Sequence, residues 1–184
     1  GKLANTLRAH VDISKPIYGY SQTFKTDFNR TPFTIESEKA PNFRGAKTVL
    51  DLPDSKIDQT ISSKKLVVLI GSHNVEIKNK PETLIVVSSF EDAVTSQADI
   101  LVPWSLFTET SGTYTNKDGV VQKFNKAVNV QGESKPVWQL MIELAQALGQ
   151  DWYYETVGEV SKEMIENVGA YKTLQLEKLF PQFA

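Results

Sequence analysis

The sequence has 184 residues and a net charge of −2, with 40% hydrophobic and 23% charged residues. This length suits one domain with a core and room for an appendage, and the near-neutral charge gives no electrostatic case for binding nucleic acid or a membrane surface. The absence of cysteine excludes disulfides, thiolate chemistry and cysteine-ligated zinc or iron–sulfur centres, and it fits a cytosolic setting. No apolar run approaches the length of a membrane span.

The amino-terminal part predicts a helix followed by an extended connection. Leu3, Leu7 and Val11 recur every four residues, which predicts a helix with one apolar stripe over residues 2–11. Residues 12–39 have no sustained period, and we expect an extended connection with a short strand near residues 18–20. His10 stands alone, so we expect it at the surface or core edge and not as a metal ligand.

Three apolar runs predict the strands of one sheet. Residues 64–71 and 84–87 are rich in branched apolar side chains, which predicts burial on both faces, as in a parallel sheet. Residues 90–97 predict a short helix, and residues 100–102 a third strand covered on both faces that ends at Pro103. Strand, helix and strand in this order predict a right-handed crossover and a Rossmann-like sheet, although there is no G-x-G-x-x-G loop.

The first of these strands runs into a polar turn, Gly71-Ser72-His73-Asn74. Ligands bind at the carboxyl ends of strands in open α/β sheets. His73 is therefore a candidate ligand-facing residue, and a turn histidine without a ligand is the alternative.

Residues 109–119 predict an irregular loop rich in short polar side chains. Such side chains bond their own backbone, and a loop of this length usually has a structural or chemical role. Glu109 and Asp118 are conceivable as a carboxylate pair, but bracing of the loop through backbone amides is the favoured role for them. Gly112 and Gly119 are expected to be structural, and a positive φ at either would make alanine costly there.

The carboxyl-terminal part predicts helices. Ser134 is expected to cap a helix with Pro136 in its first turn, and Gly149 is expected to end it. Its apolar stripe consists of Val137, Leu140, Met141, Leu144 and Leu148. Thr156 and Glu159 predict a capping box for a last amphipathic helix. The tail from residue 171 onwards is expected to pack as a final helix or to contact another subunit.

The stretch from Ala98 to Gln122 resembles a signature of the molybdopterin-oxidoreductase superfamily, A-D-V-V-L-P-x-x-x-F-x-E-x-x-G-T-x-x-N-x-E-G-R-V-Q. The matching positions are Ala98, Asp99, Pro103, Phe107, Glu109, Gly112, Thr113, Asn116, Gly119, Val121 and Gln122. Asn42, Gly45 and Ala46 match an N-x-x-G-A element of the family, and Trp138 matches a family tryptophan. The resemblance extends over residues 40–149.

The resemblance implies an α/β fold: a Rossmann-like parallel sheet flanked by helices, with further carboxyl-terminal helices. It divides the chain into an amino-terminal helix and connection (1–39), the Rossmann-like domain (40–149) and a helical appendage (150–184). The positions equivalent to the family's site are His73, Ser88, Glu109, Gly112, Thr113, Asn116 and Gln122.

Three departures fall on cofactor-facing positions of the family. Ser88 replaces an aspartate that helps to bind a guanine of the nucleotide cofactor, and Val120 replaces the signature arginine. A T-E-T motif of the family falls on Asp92, Ala93 and Val94. These departures argue against a bound molybdopterin guanine dinucleotide, so we expect no catalytic residue, cofactor or metal in this chain.

The resemblance and the departures together lead to three hypotheses of function. The leading one is a cofactor-free structural domain, or split carboxyl-terminal part, of the large peripheral-arm subunit of NADH:quinone oxidoreductase (respiratory complex I). That hypothesis places iron–sulfur clusters and flavin in partner subunits, and the chain in the cytoplasm, peripheral to the inner membrane. The alternatives are a fragment of a formate dehydrogenase-like molybdenum enzyme that forms one wall of a molybdopterin guanine dinucleotide site, and a stand-alone Rossmann-like ligand-binding module.

We also expect the chain to associate with itself or with a companion subunit through an exposed apolar surface. The candidate residues are Trp104, Leu106, Phe107, Leu176, Leu179 and Phe180.

Overall fold

The computed structural model describes residues 22–24, 33–35, 42–50, 61–71, 75–116, 118–172 and 174. Two short strands, β1 (Gln22–Phe24) and β2 (Phe33–Ile35), pair antiparallel. The helix predicted at residues 2–11, the strand near residues 18–20, His10, His73 and the tail residues Leu176, Leu179 and Phe180 lie outside the described residues. The division into ranges 1–39, 40–149 and 150–184 stays a prediction.

The centre of the fold is a parallel sheet of three strands, which confirms the predicted α/β class. Strands β3 (Leu66–Ile70), β4 (Thr83–Ser88) and β5 (Ile100–Pro103) lie in the order β3-β4-β5, and both pairs are parallel. The helices with described bounds are α1 (Phe43–Leu50), α2 (Val137–Ala147) and α3 (Val157–Asn167), and residues 61–63 are also helical.

The core of the sheet lies on one of its faces. Leu84 and Val86 of β4 are fully buried, and they cluster with Ile77 and Val94. Ile77 belongs to the connection from β3 to β4, and Val94 to the connection from β4 to β5. Both connections therefore cross the same face, as two successive right-handed crossovers in one direction require.

The opposite face of the sheet is open along β3 and at Ile100 of β5, which corrects the prediction that these two strands are buried on both faces. The prediction is confirmed for β4, because Val86 and Val87 lie on opposite faces and are 0% and 3% exposed. Leu66, Val68 and Ile70 of β3 are 58%, 44% and 46% exposed, and Ile100 of β5 is 51% exposed. The register aligns Val68 with Ile85 and Ile85 with Ile100, so these residues share one face. A run of branched apolar residues indicates a strand suited to cover on both faces, but it does not show which residues provide that cover.

The helix predicted at residues 90–97 is reduced to a single 3-10 turn, Thr95–Gln97. Asp92 explains the difference, because its carboxylate accepts hydrogen bonds from the amides of Val94 and Thr95 at 2.8 and 2.9 Å. The hydroxyl of Thr95 in turn accepts from the Asp92 amide at 2.7 Å. Aspartate and threonine compete in this way with helical hydrogen bonds.

The polar stretch after β5 forms a β-hairpin, where the sequence had predicted an irregular loop. A 3-10 turn (Phe107–Glu109) precedes strand β6 (Gly112–Thr115), which pairs antiparallel with β7 (Val121–Phe124). The ring of Tyr114 stacks on Phe124 with centroids 4.7 Å apart, an arrangement that stabilises a strand pair. The high strand propensity of Thr and Tyr favours strands here over the predicted loop.

The two carboxyl-terminal helices agree with their predicted ends, except at one cap. Gly149 ends α2 with a φ of 79°, and Thr156 and Glu159 form the predicted capping box of α3. Ser134 does not cap α2, because its hydroxyl donates to the carbonyl of Gln131 at 2.9 Å. On α2 the fully buried residue is Ala145, while Leu144 and Leu148 of the predicted stripe are exposed.

The carboxylate of Asp99 accepts two hydrogen bonds at the amino-terminal edge of the sheet. These bonds should make the stability of the protein depend on pH. A hydrogen bond from Lys80 and then one from the Leu84 amide, at 2.6 and 2.8 Å, lower the pKa of the Asp99 carboxyl below its ordinary value. A lowered folded-state pKa gives stability at higher pH that is lost as the pH falls through that pKa. We expect Asp99→Asn to be less stable than the parent near neutral pH, and the difference to shrink in acid.

Urea unfolding at a series of pH values measures this difference in the free energy of unfolding. Lys80→Met removes the larger cause of the shift, so in that background the effect of Asp99→Asn should depend less on pH. A difference between parent and Asp99→Asn that stays constant from neutral pH into acid would contradict the prediction.

Candidate functional site

The carboxyl ends of the three parallel strands bring together Gly71, Ser88 and Trp104, the edge at which open α/β sheets bind ligands. The amide of Gly71 donates to the carbonyl of Val87 at 2.8 Å, and the amide of Trp104 donates to the carbonyl of Ser88 at 3.3 Å. Gly71 has a φ of 79°, a backbone conformation that favours glycine.

The hydroxyl of Ser88, at the position of the family aspartate, is hydrogen-bonded within the turn that follows β4. Its side chain is buried, and its hydroxyl donates to the carbonyl of Phe90 at 3.0 Å and accepts from the Phe90 amide at 3.2 Å. The hydroxyl of Ser89 donates to the carbonyl of Trp104 at 3.0 Å, which ties the ends of β4 and β5 together. These serines therefore stabilise the edge of the sheet.

The structure also places the other residues that depart from the family pattern. The carboxylate of Asp92 is engaged with backbone amides, and Val94 is buried in the core. Val120, at the position of the signature arginine, follows the hairpin turn and is 53% exposed. Ser105, just beyond β5, has a buried hydroxyl with no hydrogen-bond partner in the part of the chain that the structure describes.

Glu109 braces the exit from the sheet, as predicted. Its side chain is 5% exposed. One carboxylate oxygen accepts from the amide of Leu106 at 2.8 Å, and the other accepts from the amide of Gln131 at 3.1 Å. The carboxylate thus joins the 3-10 turn after β5 to the segment that leads into α2.

Asn116 and Gly119 shape the turn of the hairpin. The side-chain oxygen of Asn116 accepts from the amides of Asp118 and Val120, both at 2.9 Å. Gly119 has a φ of 83°, which confirms the structural role expected of it. Gly112 has no positive φ, and its role is steric, because a Cβ there would lie 3.1 Å from the Phe124 ring. Thr113 and Gln122 lie on the two strands, with Gln122 exposed.

A junction around Thr115 was not predicted from the sequence. The side-chain oxygen of Asn42 accepts from the amide of Thr115 at 2.8 Å, and the hydroxyls of Thr115 and Tyr171 are 3.1 Å apart. Gly45 packs so closely here that a Cβ would lie 2.7 Å from the Thr115 hydroxyl oxygen. The N-x-x-G-A match identified Asn42 and Gly45, but no local pattern indicates a partner so distant in the sequence.

A cavity of about 430 Å³ lies beside this junction and away from the carboxyl edge of the sheet. It is lined by Lys47, Thr48, Thr115, Gly119, Val121, Ala170, Tyr171 and Leu174.

Within the described residues, no three histidine, aspartate or glutamate side chains are grouped so as to hold a metal ion. Among the helices of those same residues, none is long and apolar enough to cross a membrane.

The parallel sheet and its braced hairpin define a Rossmann-like α/β domain. A family model described as molybdopterin oxidoreductase matches residues 23–147. The chain belongs to the molybdopterin oxidoreductase family.

Its relatives include putative formate dehydrogenases. One, from Staphylococcus haemolyticus, is 33% identical over 100 residues, which cover 54% of this chain and 10% of the relative. The probable oxidoreductase YjgC of Bacillus subtilis is 31% identical over the same shares of the two chains. A putative formate dehydrogenase from Staphylococcus aureus is 31% identical over 96 residues, 52% of this chain and 10% of the relative.

The match therefore spans about a tenth of the length of these relatives. Their names agree with the formate dehydrogenase alternative, and the finer assignment to NADH:quinone oxidoreductase, the leading hypothesis from the sequence, has no support among them.

Substitution of Glu109 tests the brace. Glu109→Ala leaves the Leu106 amide without its partner in a half-buried turn, while the amide of the exposed Gln131 can regain water. We expect a loss of about 1–3 kcal/mol in the free energy of unfolding. Glu109→Gln keeps one carbonyl oxygen as acceptor and should lose less.

Urea unfolding measures these losses, with Glu133→Ala as the matched control. Glu133 is exposed, so its substitution should change the stability by no more than about 0.5 kcal/mol. A Glu109→Ala protein as stable as the Glu133→Ala protein would show that the carboxylate does not brace the turn.

Proposed function

We propose that this chain is a structural α/β domain of a formate dehydrogenase-like molybdopterin oxidoreductase. In this proposal its sheet edge forms one wall beside the cofactor, and other parts of a larger protein anchor the cofactor and carry out the redox chemistry. The observation that carries the proposal is the engagement of Ser88, at the family's guanine-binding position, in its own turn.

The described residues do not fit a role as the anchor of a guanine nucleotide. Ser88 has no charge, and its hydroxyl already donates and accepts hydrogen bonds within the protein. Asp92 has a charge, but its carboxylate is held by two amides of the following turn. The orphan hydroxyl of Ser105 is enclosed by protein atoms, so it is not open to a ligand. We therefore assign no catalytic step to these residues.

The formate dehydrogenase-like assignment is supported by the relatives, which are named as putative formate dehydrogenases or as an oxidoreductase. The residues that match the family signature support a scaffold role, because the side-chain oxygens of Glu109 and Asn116 accept hydrogen bonds from backbone amides. A domain of this kind would position neighbouring parts of the protein without contacting the reacting atoms.

A second candidate function follows from the same departures. In a cofactor-free domain of the large subunit of NADH:quinone oxidoreductase, Ser88 and Val120 would need no charge. The chain would then contact subunits that contain iron–sulfur clusters and flavin, in the cytoplasm at the periphery of the inner membrane. The stand-alone ligand-binding module remains the third candidate, with its ligand at the carboxyl edge of the sheet.

Metal analysis of the native assembly distinguishes these candidates. We expect molybdenum in stoichiometric amount in the protein purified with its natural partners, and none in the isolated chain. Stoichiometric molybdenum in the isolated chain would overturn the scaffold role. A native assembly with iron and flavin but without molybdenum would favour the second candidate.

Substitution of Ser88 distinguishes a domain that lies beside the cofactor from one that binds the cofactor through Ser88. Ser88→Ala should leave the molybdenum content of the native assembly within about twofold of the parent, because the hydroxyl serves the Phe90 turn and costs only about 1 kcal/mol of stability when lost. Ser62→Ala, at an exposed position, is the matched control. A loss of most of the molybdenum in folded Ser88→Ala, but not in Ser62→Ala, would show that Ser88 contacts the cofactor.

A further inference from the structure

The open face of the parallel sheet consists of Leu66, Val68 and Ile70 on β3 and Ile100 on β5. Each of these side chains is between 44% and 58% exposed. All four are aliphatic and lie on one face by the register of the strands, with Ile85 of β4 between Val68 and Ile100. Val87 of β4, on the same face beside Ile70, is 3% exposed, so the exposed surface is that of β3 and the start of β5. Contiguous exposed apolar surface of this kind usually marks an interaction site.

The topology explains why the sheet cannot cover this face with its own connections. The connection from β3 to β4 places Ile77, and the connection from β4 to β5 places Val94, in the core cluster on the opposite face. Consecutive parallel strands added in one direction by right-handed crossovers keep all their connections on one side. The cover of the open face must therefore come from outside residues 66–103.

Ile61, in the helical residues 61–63, packs with Leu69 and Leu84 in the core cluster on the opposite face. Helix α1 lies against β6, α3 lies against the turn Gly169–Tyr171, and the turn Thr95–Gln97 lies against β4. Strand β3 is also an edge of the described sheet, although its sequence, Leu-Val-Val-Leu-Ile, is of the kind found in strands that are covered on both faces.

We propose that the open face is the docking surface for a helix supplied by polypeptide beyond these 184 residues. Parallel sheets are covered by helices on both faces, so the partner is a helix with a stripe of aliphatic side chains at a spacing of three and four residues. The source is the larger protein, since the match covers only 10% of the relatives and leaves nine-tenths of such a chain to provide it. The inference rests on the proposed function only in placing the chain within a larger protein.

Thiol labelling tests the inference, because the chain has no cysteine and the unsubstituted assembly gives the background reaction of any thiols outside the chain. Val68→Cys and Ile70→Cys place the thiol on the open face. Val86→Cys, at a fully buried position on the opposite face, is the protected control, and Tyr153→Cys, at a position that is 78% exposed, is the accessible control. The reagent is dithionitrobenzoate, applied to the isolated chain and to the native assembly.

We expect Val68→Cys and Ile70→Cys to react about as fast as Tyr153→Cys in the isolated chain, and at least about tenfold more slowly in the native assembly. Val86→Cys should react slowly in both. Labelling that is equally fast in the native assembly would overturn the proposal.

Two further outcomes would also overturn it. Slow labelling in an isolated chain that light scattering shows to be monomeric would mean that a segment of these 184 residues covers the face. Labelling that slows as the concentration of the isolated chain rises, together with a dimer in light scattering, would identify a second copy as the occupant. Because the readout does not depend on molybdenum, its failure is distinguishable from a failure of the proposed function.

Discussion

The hydrogen bonds of Thr115 hold together parts of the chain that are far apart in the sequence. Its amide donates to Asn42 across 73 residues, and its hydroxyl pairs with that of Tyr171 across 56 residues. Helix α1, the β6–β7 hairpin and the turn that follows α3 therefore meet at one buried side chain. Gly45 permits this approach, because any larger residue would place a Cβ against Asn42 and Thr115.

The residues that match the family signature mostly stabilise this hairpin and the segment that leads into it from β5. Glu109 braces the exit from the sheet, Asn116 satisfies two amides of the turn, and Gly119 adopts the conformation that the turn requires. All of these hydrogen bonds join groups of the chain itself. The hairpin can therefore keep its structure in a chain that departs from the family at Ser88 and Val120, which explains how both features occur in one sequence.

Local patterns in the sequence predicted the features that depend on interactions between neighbouring residues. The parallel strands, the capping box at Thr156 and Glu159, the end of α2 at Gly149 and the bracing role of Glu109 follow from apolar runs, cap chemistry and polar side chains near free amides. The helix predicted at residues 90–97 was wrong because Asp92 and Thr95 take the amides that a helix would use. The hairpin was missed because its glycines and polar residues resemble a loop.

The remaining features depend on contacts between distant residues. The apolar runs of β3 and β5 indicated cover on both faces, but the sequence could not show that both connections cross the same face and leave Leu66, Val68 and Ile70 open. The junction of Asn42, Gly45, Thr115 and Tyr171 was likewise beyond local reasoning. At the candidate site, the sequence located Ser88 as a departure, and only the structure showed that the Phe90 turn uses its hydroxyl.

A double-mutant cycle measures whether the hydroxyls of Thr115 and Tyr171 join the hairpin to the segment that follows α3. The variants are Thr115→Val, Tyr171→Phe and the two combined, and the measurement is the free energy of unfolding in urea. If the two hydroxyls pair as described, the effects should be non-additive, with a coupling of about 0.5–1.5 kcal/mol. Strictly additive effects would show that the two hydroxyls do not interact.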